Sequence, residues 1–286
     1  MGRGNLGRSL SGAFRKAGHQ VLLTPARAGV PALVRALHRR PSAIVFLTVP
    51  DAVVAGLARQ VAGAGGLPPA AAFVHCSGAL GLDAIAPLAV RHAVGSFHPL
   101  QSFPKPRDPD AFRGSLVGID ASTTRLRRQL QRLARDLGAR PRNVDDADRV
   151  VYHAAAVFAS NYLVALAGVA VELLRTIGWS ESDAVQGLVP LMRGAVSEVA
   201  RGGPDAALTG PIRRGDLETV GRHLEALAGV DSRARRRQTR RADLYRMLGS
   251  IALELATREG LDPAAARRID RALTRHVAAT RRRRQR

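Results

Sequence analysis

Near its start the chain carries Gly2-Arg3-Gly4-Asn5-Leu6-Gly7, a Gly-x-Gly-x-x-Gly hexad. Where such a hexad joins a strand to a helix, its backbone can approach a pyrophosphate closely, and the positive end of the helix favours the bound charge. Gly2, Gly4, Asn5, Leu6 and Gly7 are therefore candidate dinucleotide-binding residues. The pattern is specific only in that context. Only Met1 stands where a buried strand of about five residues belongs. The expectation is an upstream Val/Ile/Leu-rich strand, without which the sheet lacks its innermost member.

Further candidates come from a rule of open parallel sheets: ligands lie outside the carboxyl ends of the strands. Three polar clusters follow apolar runs, namely Thr48-Val49-Pro50, His75-Cys76-Ser77-Gly78 and Ser96-Phe97-His98-Pro99-Leu100-Gln101-Ser102. Thr48, Pro50 and Ser77 are placed with the cofactor, Gln101 with the substrate. His98 is a titrating group where a strand opens into a proline-stiffened loop, which suits proton transfer. The bland alternative is that His75 and His98 only hydrogen-bond their loops. NAD-selective sites present an acid after the second strand, whereas here Leu23-Thr24-Pro25-Ala26-Arg27 offers none. Arg27 can meet a 2′-phosphate, so NADP is favoured over NAD.

Two more polar concentrations lie downstream. On an uninterrupted α-helix His153, Val157, Ser160 and Asn161 share one face, a polar stripe suited to a cleft wall. His153 and Asn161 are catalytic candidates and Ser160 a substrate contact; a close-packed helix with internally satisfied polar groups is the alternative. In Leu208-Thr209-Gly210-Pro211-Ile212-Arg213-Arg214-Gly215-Asp216, Arg213 and Arg214 offer guanidinium forks for a carboxylate or phosphate, unless Asp216 holds one of them. No His or Asp spacing suits a metal, and none is expected.

These residues need a scaffold, and apolar periodicity supplies one. Helical spacing runs from Leu6 to Ala17, a short strand follows at 20–23, and a helix at 31–39. Strands at 43–49, 71–75, 93–97, 115–119 and 140–144 alternate with helices, which predicts a mostly parallel sheet covered on both faces. Beyond Asp145 the texture is helical, with helices at 148–177, 181–201, 213–228, 239–259 and 263–279. The expected organisation is an α/β domain over 1–145, a helical domain over 146–280 and a basic tail at 281–286.

With 286 residues, 46% of them hydrophobic, the chain can bury a substantial core. Cys76 is the single cysteine, which excludes an internal disulfide and a cysteine-based metal cluster. No charge-free apolar run is expected to approach the roughly 18 residues that cross a bilayer, and no secretory leader is read, so a cytoplasmic protein without a membrane partner is the default. The net charge of +21 is concentrated: arginines crowd 233–246 and 281–286. Because they lie apart from the proposed cleft, a nucleic-acid partner is not favoured.

Taken together, His75-Cys76-Ser77-Gly78, the stretch from Ser96 to Phe103, Tyr152-His153-Ala154-Ala155-Ala156, Ala159-Ser160-Asn161-Tyr162 and the run from Leu208 to Asp216 resemble the DUF2520 family. That resemblance implies a Rossmann-like N-terminal domain and a helical C-terminal one. A broader similarity to β-hydroxyacid dehydrogenases, pyrroline-carboxylate reductases and ketopantoate reductases implies NADP-linked hydride transfer with a small carbonyl, hydroxy-acid or imine substrate, and a homodimer formed by the helical domain. The hydroxyacid dehydrogenases place a lysine four residues before an asparagine; that position here is Val157 before Asn161. His153 or His98 then replaces the lysine, or the protein is a non-catalytic dinucleotide or metabolite sensor or scaffold.

Overall fold

The structure is a computed structural model that describes residues 1–25, 29–233 and 241–282. It divides into two compact units, Met1–Leu163 and Val164–Arg286. In the first, α1 (Asn5–Lys16) and α2 (Gly29–His38) precede β1 (Ile44–Leu47) and α3 (Asp51–Gly63). Then come β2 (Ala72–His75), the short α4 (Ala86–Ala89), β3 (Ala93–Pro99), β4 (Leu116–Ala121), α5 (Thr124–Asp136), β5 (Arg140–Asn143) and α6 (Asp146–Val157). The strands form one sheet in sequence order, parallel except between β3 and β4. This is the expected α/β, Rossmann-like, mostly parallel sheet.

Alternation along the strands feeds two apolar layers. Val74 and Phe97 pack with Leu10 and Phe14 of α1 and Leu126 of α5 on one face. Val45, Leu47 and Phe73 pack with Leu33 and Leu37 of α2 and Val54 of α3 on the other. Cys76 is buried, and burial pushes its thiol up to about 12, so it is an inert core residue.

Two expectations need correction here. Residues 20–23 do not form a strand, and Leu22 is 55% exposed; Arg15 donates to the Val21 carbonyl at 3.2 Å, and Gly2 donates to the carbonyl of Thr24 just beyond at 2.9 Å. The second concerns the helix after Asp145. Its stretch Asp146–Thr176 is, among the described residues, long and apolar enough to cross a membrane by length and composition, with hydropathy 1.9, contrary to the expectation that no such run exists. The sequence between Arg149 and Glu172 carries no Asp, Glu, Lys or Arg, and its exposed apolar side chains include Val150, Val151 and Phe158.

In the second unit, α7 (Leu163–Thr176) enters from the first and is followed by α8 (Glu181–Ala207), α9 (Leu217–Arg233), α10 (Arg241–Arg258) and α11 (Pro263–Arg282). α8 kinks at Gly203, whose φ of 79° lies in the left-handed region. Ile212, Val220, Leu253, Ile269 and Leu273 make the core of this unit. Arg258 of α10 clamps Asp205 of α8 with bonds of 3.0 and 2.8 Å.

Candidate active site

The glycine turn is built by close approach to Thr48. Gly2 has a φ of +118°, and a Cβ there would strike the Thr48 carbonyl; at Gly7 it would strike the Gly2 carbonyl and stand 2.6 Å from Thr48 Oγ1. The Thr48 hydroxyl, 3.1 Å from the carbonyl oxygens of both Met1 and Gly2, ties the turn to the end of β1. Gly4 differs: it is the residue before α1, and a Cβ there would meet nothing nearer than the Thr48 carbonyl at 4.0 Å. Two glycines are thus required by packing, while the third leaves open space at a helix N-terminus. That is the shape a pyrophosphate needs, so these residues fit a dinucleotide.

The remaining cofactor candidates mostly shape this turn. Asn5 donates its amide to the carbonyls of Phe103 and Pro104 at 3.0 and 2.9 Å, fastening the turn to the loop after β3. Leu6 packs against the core, and Pro50 directly precedes α3. Arg27 lies outside the described residues. Ser77 donates to Asp51 at 2.7 Å and accepts from the amides of Ala79 and Leu80, so its hydroxyl folds the loop after β2.

That loop delivers Gly78 into a nest of imidazoles. A Cβ at Gly78 would stand 2.6 Å from His153 Nδ1 and 2.7 Å from His98 Cε1. The rings of His98 and His153 lie 6.0 Å apart edge to face. His98 Nδ1 is 3.1 Å from the Tyr152 hydroxyl, and Tyr152 also packs over Gly118 of β4. His153 Nδ1 is buried with no hydrogen-bond partner among the described residues, a polar atom left for something else to satisfy.

Burial and neighbouring positive charge hold His98 and His75 uncharged at neutral pH. Burial first, then His153 and Arg149, lower His98 to about 4. Burial and then Arg149 do the same to His75, also to about 4. Burial raises the Tyr152 phenol. Arg149 is only 1% exposed, donates to Ser96 Oγ at 2.7 Å and to the Val144 carbonyl at 3.1 Å, and lies 3.5 Å from Asp146. Sequence reasoning missed it, along with Tyr152 and Asp51; the signal for Arg149 was one cation at the threshold of a long charge-free stretch.

Several of the expected site residues have partners of their own. A π-helical turn at Phe158–Tyr162 ends the α-helical phasing after Val157, so Ser160 and Asn161 do not continue the His153 face as the expected regular helix would have them. Gln101 is spent on its own loop, donating to the Ala111 carbonyl and accepting from Arg107 at 2.7 Å. Arg213 and Arg214 belong to the second unit, where Arg213 donates to the Glu259 carbonyl at 3.1 Å and Arg214 is exposed. Asp216 accepts from the Thr219 amide at 3.0 Å and its hydroxyl at 2.7 Å at the start of α9 rather than forming a close ion pair with either arginine. No group of three or more potential ligands that could hold a metal occurs among the described residues.

The DUF2520 pattern, a domain of unknown function, matches residues 115–278, more than half of the chain. The chain belongs to the DUF2520 family. A Rossmann-like domain matches residues 1–99 of this DUF2520 protein. No curated protein matches it. Among solved structures it is similar to a Bacteroides fragilis protein named provisionally as an NADP oxidoreductase, at 25% identity and a TM-score of 0.65, covering 88% of this chain and 96% of that one. A Thermotoga maritima protein shares 25% identity over 75% of this chain and 78% of that one, with a TM-score of 0.61. Pyrroline carboxylate reductase of Plasmodium falciparum, solved with NADP bound, shows the same fold at 10% identity, a TM-score of 0.53 and coverage of 96% and 98%. The DUF2520 protein thus joins a Rossmann-like domain to a helical C-terminal region, an arrangement related to several oxidoreductase families and not to one alone.

Proposed function

We propose that the protein is an NADP-dependent oxidoreductase acting on a small carbonyl, hydroxy-acid or imine compound. The observation that carries this reading is the division of labour in the hexad: Gly2 and Gly7 packed against Thr48, Gly4 open at the start of α1. Since β1, β2 and β3 are mutually parallel, their carboxyl ends set Thr48, Ser77-Gly78 and His98 along one edge of the sheet. When bound, the dinucleotide would supply hydride chemistry; the chain must hold it, place the substrate and manage one proton.

Gly2, Gly4 and Gly7, with the α1 N-terminus, would hold the pyrophosphate. The absence of an acid at 20–25 supports NADP over NAD. His98 is uncharged at neutral pH and a weak base, so it would accept a hydrogen bond from a substrate or product hydroxyl, with its Nδ1 3.1 Å from the Tyr152 hydroxyl, and the proton taken up in carbonyl or imine reduction would come from water. The open Nδ1 of His153 is a second hydrogen-bonding atom for a polar substrate. Turnover with NADPH against a panel of carbonyl and imine compounds tests this reading, and progress NMR that shows no product with any of them counts against it.

One observation favours a second reading, a dinucleotide or metabolite sensor. Val157 stands where the resemblance places a lysine, and the imidazoles that could replace it include one held neutral by burial. Tight NADPH binding with no chemical product is the result that reading requires. A defined product formed at a substantial rate removes it.

A further inference from the structure

The phenol of Tyr152 reaches from α6 onto the paired strands β3 and β4. Gly118 of β4 stands opposite His98 of β3, and a Cβ at Gly118 would lie 2.9 Å from the Tyr152 hydroxyl oxygen, so the missing side chain is what admits the phenol. There the hydroxyl meets His98 twice, with Nδ1 at 3.1 Å and the main-chain carbonyl of the same residue at 3.4 Å. The two rings stand edge to face, their centroids 5.5 Å apart. Burial raises the phenol's pKa, and a hydrogen bond from the Gly118 backbone to its oxygen opposes that rise.

The hydroxyl has one hydrogen to give and two lone pairs to offer. A carbonyl only accepts, so the contact with the His98 carbonyl is attractive only if Tyr152 donates there. That spends its hydrogen. Of its two lone pairs the Gly118 backbone takes one, and the other can only accept from His98 Nδ1, which must then carry the ring hydrogen. The reverse arrangement, with Tyr152 donating to Nδ1, sets two oxygens against each other with no hydrogen between them. Because His98 is uncharged at neutral pH, a hydrogen on Nδ1 leaves Nε2 bare. A Cβ at Gly78 would stand 2.8 Å from that Nε2 and 2.6 Å from His153 Nδ1, so both atoms border the open side of Gly78. Among the described residues neither has a hydrogen-bond partner.

We propose that Tyr152 is a positioning residue: it holds His98 as the Nδ1–H tautomer, with the bare Nε2 turned to the open side of Gly78. The histidine ring left to itself prefers its hydrogen on Nε2, so the phenol reverses an intrinsic preference through the bond made by the other nitrogen. A bare Nε2 attracts an O–H and repels a carbonyl oxygen. The group it takes is therefore a hydroxyl and not a keto oxygen, a consequence that rests on the oxidoreductase reading, whereas the tautomer does not.

Nitrogen-15 NMR of the imidazoles near pH 7 tests this on the 286-residue protein, with the His98 signals identified by their loss in His98→Asn. Bare and protonated ring nitrogens have well separated shifts, and the expected result is a protonated Nδ1 and a bare Nε2. Tyr152→Phe keeps a ring against Gly118 and removes the hydroxyl. The tautomer ratio should then move toward Nε2–H by roughly two- to twelvefold, the net worth of one hydrogen bond. Thermal unfolding of the same samples separates this from packing, since a purely structural phenol would change the midpoint and leave the ratio where it was. Should the Phe variant not fold, the parent spectrum decides alone: a protonated Nδ1 supports the proposal and a protonated Nε2 overturns it. An unmoved ratio in folded Tyr152→Phe overturns it equally. Neither NADPH nor a substrate enters the measurement, so the proposal can fail with the oxidoreductase reading intact, and the reverse.

Discussion

Gly4→Ala separates cofactor binding from folding. Gly4 has φ −65° and ψ 177°, a conformation alanine adopts freely, and the new methyl would lie 4.0 Å from its nearest neighbour. Relative to glycine, alanine gains about 0.4–1 kcal/mol by restricting the unfolded chain. It loses about 0.5–1 kcal/mol as a poorer residue ahead of a helix. The two offset, and the midpoint of unfolding should stay within a few degrees of the parent. Binding is different, because the methyl fills the space through which the pyrophosphate reaches the α1 amides. Losing one hydrogen bond to a charged group costs about 1.5–3 kcal/mol, or roughly ten- to 150-fold in Kd. NADPH titration by calorimetry, beside thermal unfolding of the same samples, gives both numbers. Gly7→Ala is the contrast, since its Cβ meets the Gly2 backbone and Thr48 Oγ1, and overpacking of about 1–3 kcal/mol should lower its midpoint. If Gly4→Ala binds NADPH as tightly as the parent, or the parent does not bind it, the pyrophosphate assignment is wrong.

Three other outcomes follow from the same geometry. His75 and His98 are held near 4 in the fold against 6.5 when free, so between those values the unfolded chain binds more protons. Stability is therefore complete above about pH 6.5 and falls as the pH drops toward 4, with a slope approaching ~2.7 kcal/mol per pH unit for the pair; urea melts at several pH values measure it, and a flat profile refutes the burial of both rings. Arg149→Met should raise the His98 titration midpoint seen by imidazole NMR and destabilise the first unit by several kcal/mol, whereas an unmoved midpoint would show that the guanidinium does not act on the ring. In the second unit Val164, Leu191 and Val196 are 70%, 70% and 55% exposed, an apolar surface that we expect a second copy to cover, so light scattering at micromolar concentration should give twice the 30.4 kDa chain mass; a stable monomer would be the contrary result.

The arginine-rich stretches illustrate how far charge counting reaches. Much of 233–246 and the end of the tail lie outside the described residues, but Arg241 pairs with Asp231 at 3.5 Å and Arg246 is 8% exposed beside Asp243. Those two arginines serve the packing of their helices, so they are poor candidates for phosphate contacts.

The sequence by itself determined most of the element order, because apolar runs and helical spacing mark β1, β2, β3 and α5. It also marked Gly2, Gly4 and Gly7, His98 and His153, since those residue types at strand and helix ends have few other uses. What each of them does was decided only in three dimensions. Whether a glycine is needed for packing or for access depends on the distance to Thr48, which is remote in sequence. Ser77 and Gln101 look like ligand contacts until Asp51 and Arg107 arrive to occupy them. The π-helical turn at Phe158–Tyr162 breaks a face that regular spacing predicts, and burial, with Arg149 adding to it, holds uncharged two imidazoles more than fifty positions from that arginine. Local periodicity is written in neighbouring residues, whereas burial, hydrogen-bond partners and pKa are properties of groups that meet only when the sheet and its helices close around them.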